Sequence, residues 1–138
     1  MKRLTLVILC LSFFICTSQT AFAQFTLTIE INQLENNTGQ VILEFCNEKG
    51  EKISGYIQSI ENNKSIILIN DLKPGSYSFK YFHDENKNKK LDVNWIGMPK
   101  EGFGFSNDAT GTFGPPDLEK TVFTIKGNQK LTCKPKYF

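Results

Sequence analysis

"LKPGSYSFKYFHDENKNKKLD", Leu72 to Asp92, contains both the regular and the irregular part of this chain. Pro74 and Gly75 supply a turn, because their φ preferences suit one. In "SYSFKYF", Tyr77, Phe79 and Tyr81 then share one face, the two-residue period of a half-buried strand. At His83 the period ends. Asp84, Asn86, Asn88 and Asp92 follow at alternating and then fourfold spacing. That spacing suits either a calcium loop or the wet tip of a β-hairpin.

Upstream the strand pattern repeats. "FTLTIEI" alternates Phe25, Leu27, Ile29 and Ile31 with polar residues, and "QVILEFC" places Val41, Leu43 and Phe45 on one face. "ISGYIQSI", weakened by Gly55, and "SIILIN" read as two further strands, separated by turn-rich segments. Downstream, "KTVFTIKG" and "QKLTCKPKYF" read as a closing hairpin with Gly127 and Asn128 at its turn. About seven short strands and no convincing helix predict an all-β chain: a small, single-domain antiparallel β-sandwich. There is no internal repeat and no interdomain linker.

Residues 1–23 read as a secretory signal peptide: "MKR", then the apolar "LTLVILCLSFFICTS", then small residues around one Phe. The apolar run is short and lacks stop-transfer flanks, so no transmembrane span is expected. The expected destination is outside the cytoplasm: periplasm, outer surface or medium. The domain is expected over residues 24–138. The chain carries 16 basic and 14 acidic residues, and the signal takes Lys2 and Arg3, leaving 14 of each. That even balance offers no basic field for nucleic acid or for anionic lipid. Cys46 and Cys133 remain after cleavage. An oxidising compartment permits a disulfide between them. Two small buried thiols are the alternative.

Residues 83–116 form a long ordered loop on this reading. Glycines at 97, 102, 104, 111 and 114 and prolines at 99, 115 and 116 break any period. Trp95, Phe103, Phe105 and Phe113 are too many aromatics for simple disorder. "LKPGSYSFKYFHDENKNKKLDVNWIGMPKEGFGFSN" followed by "GTFGPP" resembles the DUF2141 family, small exported bacterial proteins frequent in Bacteroidetes. The resemblance covers nearly all of the chain after the signal. It rests on His83–Asp92, Gly97, Pro99, Glu101–Ser106 and Gly114–Pro116. It implies a transthyretin-like (prealbumin-like) or carboxypeptidase-regulatory-like sandwich, and no catalytic role.

The acidic loop fits the first half of a calcium motif. Counting from Asp84, the ligands would be Asp84, Asn86, Asn88, the Lys90 carbonyl and Asp92, with Glu101 or Asp108 as the missing carboxylate. Lys89 stands where that motif wants Gly, and Trp95 where it wants a bidentate acid. The competing reading is a hairpin tip in which Asp84 and Asn86 cap the backbone. With a single His and distant cysteines, zinc finds no cluster. The aromatics Trp95, Phe103 and Phe105 could bind an envelope glycan or protein, or could cover the sandwich. The expected function is therefore a non-catalytic binding or structural module of the cell envelope, stabilised by calcium if the loop takes it. The alternatives are a carbohydrate-binding module and, less favoured, a hydrolase using Asp84 or Asp92 with Glu101.

Overall fold

The computed structural model describes residues 23–138; the expected signal peptide, apart from Ala23, lies outside them. Eight strands form two facing sheets. In order they are β1 (Phe25–Ile31), β2 (Gln40–Asn47), β3 (Lys52–Gln58), β4 (Ser65–Leu72), β5 (Gly75–Asp84), β6 (Phe103–Phe105), β7 (Phe123–Ile125) and β8 (Gln129–Cys133). One sheet runs β4-β1-β8; the other runs β3-β2-β5-β6, with β7 also on β5. The alternation seen in the sequence supplies the core. Leu27, Ile29 and Ile31 of β1 face Val41, Leu43 and Phe45 of β2, and all six are fully buried. Phe79 and Tyr81 of β5 and Phe123 and Ile125 of β7 complete one contiguous cluster. Phe79 meets Phe123 edge-on at 5.7 Å, a favoured aromatic geometry.

Two expectations need correction, and of the two readings of the cysteines the structure has the free thiols. The last two strands are not a hairpin. β7 pairs with β5, whereas β8 crosses to the other sheet and lies parallel to β1. The Asn128 side chain accepts from Thr26 N at 2.9 Å and ties the crossing to β1. The sandwich is thus antiparallel except at that edge. Next, the long loop is partly regular. Phe103–Phe105 pairs with Lys80–Phe82, so β5 carries β7 on the start of its outer edge and β6 on the end. A short 3-10 turn (Ser106–Asp108) also interrupts it, and a one-turn helix α1 (Leu118–Thr121) follows it.

Finally, Cys46 and Cys133 are free thiols. Cys46 follows core-facing Phe45 and shares the outer side of its sheet with Glu44, whose carboxylate lies 3.9 Å from Sγ. Cys133 belongs to the core on the opposite side. A sheet separates them. Burial pushes the Cys133 thiol up to about 12, so little thiolate forms near neutral pH.

Candidate functional site

β5 delivers the chain to the acidic loop. His83 and Asp84 are fully buried at its end. His83 Nε2 lies 2.7 Å from the Thr38 carbonyl, which can only accept, so Nε2 carries the proton. Nδ1 then accepts from the Tyr137 hydroxyl at 2.8 Å. That hydroxyl in turn accepts from Glu35 N at 3.2 Å. His83 is thus a structural pin between the β1–β2 loop and the C-terminal segment. Gly39, on that β1–β2 loop at φ +80°, touches the Asp84 carbonyl so closely that no Cβ fits.

The expected metal residues do come together, but their polar atoms are aimed at one another. Asp84 Oδ1 accepts from Asn88 N at 3.0 Å, and Oδ2 accepts from Lys89 N at 3.0 Å and Gln40 Nε2 at 2.8 Å. Buried Glu101 bridges the two ends of the loop: Oε1 accepts from Glu85 N and Oε2 from Asp92 N, both at 3.0 Å. The Asp92 carboxylate accepts from Asn86 Nδ2 at 2.6 Å and Asn88 Nδ2 at 3.0 Å. The two amide oxygens accept from Asn88 N and Lys90 N, as Asx turns do. Lys90 enters this network through its N–H. Lys87 and Lys89 take left-handed φ of 58° and 64°. Among the described residues no group of three or more His, Cys, Asp or Glu is arranged to hold a metal. As arranged, the loop is a self-satisfied cap. A calcium sphere of six to eight oxygens would need the Asn86 and Asn88 amides to turn over.

Beyond the cap, the chain makes a small hairpin. Val93 bridges Pro99, and Asn94 Oδ1 accepts from Ile96 N and Met98 N. Trp95 stands at its tip and is 95% exposed. Across from it the 109–116 strap carries Phe113, which is also fully exposed. Between hairpin and strap runs an apolar groove of about 620 Å3, floored by half-buried Phe103 and Phe105 of β6. Val93, Ile96, Met98 and Phe113 form its walls, and Lys134 and Lys136 stand at its margin. Phe103 stacks on Phe138 at 5.9 Å, and Lys136 Nζ sits 4.5 Å over the same Phe138 ring.

Of the three expected ligand-binding aromatics, Phe103 and Phe105 line this groove, while Trp95 projects beyond it. The aliphatic walls and Phe138 were not singled out by the sequence. The only signal for the walls was large apolar residues inside an aperiodic, Gly- and Pro-rich segment, and Phe138 carried none. Ser106 is fully buried rather than poised for attack. Its Oγ accepts from Phe79 N at 3.0 Å and lies beside the Thr121 carbonyl, joining β5 to α1.

Among solved structures, the chain is similar to the tip fimbrial protein Mfa3 from Porphyromonas gingivalis with C-terminal truncation. The TM-score is 0.43 and the identity 14%, over 83% of this chain and 48% of that one, about half its length. No curated protein matches. The family described as "Uncharacterized protein conserved in bacteria (DUF2141)" matches residues 29–132, from the middle of β1 almost to the end of β8. By that match over most of its length, the chain belongs to the DUF2141 family.

Proposed function

We propose that this chain is an exported, non-catalytic binding module of the cell envelope, with the groove over β6 as its binding face. The observation that carries the reading is Trp95 and Phe113, two large rings left wholly in solvent beside that groove. An apolar concavity with aromatic rims is the usual form of a ligand site. A contiguous apolar patch of this kind marks an interaction surface more often than a bare loop does. The carbohydrate alternative has aromatic rings available, yet few polar side chains converge on the groove. The hydrolase alternative would have to use Asp84 or Asp92 with Glu101, and all three already accept hydrogen bonds within the loop.

Export predicts a processed N-terminus near Gln24, read by mass spectrometry of the native protein. An intact Met1 start in the cytoplasm would remove the envelope reading. Binding predicts that a solubilised envelope extract, containing protein, glycan and lipid, shifts the emission of Trp95, the one tryptophan. No shift with any fraction would sink the binding reading. Calcium enters as a stabiliser of the same loop. If the amides turn, millimolar calcium raises the thermal midpoint, because a ligand of the folded state alone adds stability by mass action. The gain disappears in Asp92→Ala, and an unmoved wild-type midpoint rules the site out.

A further inference from the structure

Resting on that binding reading, we infer that the Trp95 hairpin and the Phe113 strap dock onto the surface of an anionic phospholipid bilayer. Two sets of observations meet at this face. The first is protrusion. Trp95 and Phe113 are fully exposed, and Val93 and Ile96 are 50% and 57% exposed. These side chains stand out from the sandwich on two neighbouring loops. Trp at such a tip has the chemistry that favours the headgroup boundary, an apolar ring with one N–H donor.

The second is charge. The even overall balance hides a division along the chain. Residues 24–85 hold five lysines and nine carboxylates; residues 86–138 hold nine lysines and five carboxylates. On the sandwich body and on α1, Lys52 and Lys80 reach Glu44, Lys130 reaches Glu30 and Lys120 reaches Asp117, while Lys49, Lys64 and Lys126 form no ion pair among the described residues. Lys87, Lys89, Lys90, Lys100, Lys134 and Lys136 form no ion pair among the described residues. Lys87, Lys89, Lys90 and Lys100 flank the Trp95 hairpin in sequence, and Lys134 and Lys136 line the groove. Three acids in the same segments keep their formal charge but are held by neutral donors and not by the side chains of these lysines: Asp92 by the Asn86 and Asn88 amides, Glu101 by two backbone N–H groups, and Asp108 by Lys134 N. Unpaired cations beside exposed apolar tips complement a negatively charged, apolar-backed surface.

The test uses the chain from Gln24, which contains every strand of the sandwich, and vesicles of phosphatidylcholine with or without phosphatidylglycerol. The protein should sediment with the anionic vesicles, and its Trp95 emission should move to the blue and be quenched by brominated acyl chains. Raising the salt should release it. The triple change Lys87→Gln, Lys89→Gln, Lys90→Gln should weaken partitioning by on the order of a hundredfold at low salt. Trp95→Ala with Phe113→Ala should abolish sedimentation while the thermal midpoint stays put. Indifference of the unmodified protein to both vesicles overturns the lipid inference. If a purified glycan or protein then shifts Trp95, the binding reading survives without lipid; if nothing does, both fall. A lipid-free blue shift that grows with protein concentration also overturns it, in favour of a second copy as the occupant.

Discussion

The sandwich core and the loop face use the same kinds of side chain to opposite ends. In the core, Phe45 and Phe79 are closed between two sheets with almost no exposure. On the loop face, Trp95 and Phe113 touch solvent over nearly their whole surface. The polar groups divide the other way. The loop's Asp84 and Glu101 are buried, and each oxygen accepts from a backbone N–H, with Gln40 adding a side-chain donor to Asp84. Shape in the loop is therefore set by carboxylates and amides, which frees its apolar residues from holding the fold. In the sheets the apolar residues hold the fold. A ring's contribution to stability here depends on which of the two regions it occupies.

The largest effect should come from emptying the core. Phe79→Ala removes a ring packed against Phe123 and Tyr81, and should cost about 3–5 kcal/mol. Phe113→Ala removes a ring of similar size and should change stability by no more than about 0.5 kcal/mol. Urea denaturation of both variants checks the pair. Equal losses would break the contrast, because Phe113 would then be holding the fold.

Next in size is the loop's own framework. Asp84→Ala deprives Lys89 N and Gln40 of the acceptor shown for them inside a buried site, and leaves Asn88 N only the Asn86 amide oxygen. Loss of charge-assisted bonds with partners left unmet should cost about 2–3 kcal/mol. Hydrogen exchange should rise first at Asn88 and Lys89, before the β-strands loosen. If amide exchange at those two positions does not change, the cap is not what shapes the loop.

That framework was half legible. The spacing of Asp84, Asn86, Asn88 and Asp92 pointed to one compact loop, and it is one. The Asn86 and Asn88 amides face Asp92, whose own N–H is held by Glu101 from beyond the spaced set, and no local pattern carries that. β1, β2 and β4 were readable because each buries alternate residues over seven or eight positions, whereas β3 buries none and was legible only from its apolar residues between two turn-rich segments. β6 was not, because three residues cannot show a period. The parallel placement of β8 escaped for a different reason. A Gly-Asn turn between two apolar runs signals a hairpin, and only the open edge of β1 decides otherwise. The aromatics of the loop were visible as residues. Whether each faced inward or outward was not, since exposure there follows from tertiary placement alone.

A third and smaller effect lies where the two regions meet. Gly104 of β6 stands directly opposite Tyr81 of β5, and a Cβ at Gly104 would strike the Tyr81 hydroxyl and ring. Gly104→Ala should therefore cost about 1–3 kcal/mol as the ring is forced aside. Because β6 floors the groove, the same change should also alter whatever binds there. A stable Gly104→Ala with unchanged binding would show that β6 tolerates displacement, and that the groove is not anchored to the sheet.

The smallest change sharpens the comparison from the side of the core. Tyr81 is 3% exposed, and its hydroxyl makes no hydrogen bond among the described residues. Burial, more than any neighbouring group, holds its phenol well above the usual range, so the ring stays neutral at any ordinary pH. The loop leaves none of its carboxylates without donors, yet the core holds this hydroxyl unmet. Tyr81→Phe removes one oxygen and no packing surface. It should raise stability by about 1 kcal/mol, the lower end of what an unsatisfied buried hydroxyl costs. Thermal denaturation of Tyr81→Phe beside the unmodified chain measures it. A loss instead of a gain would mean that the hydroxyl has a partner, such as a trapped water in the core, and that the core is less purely apolar than its alternating strands suggest.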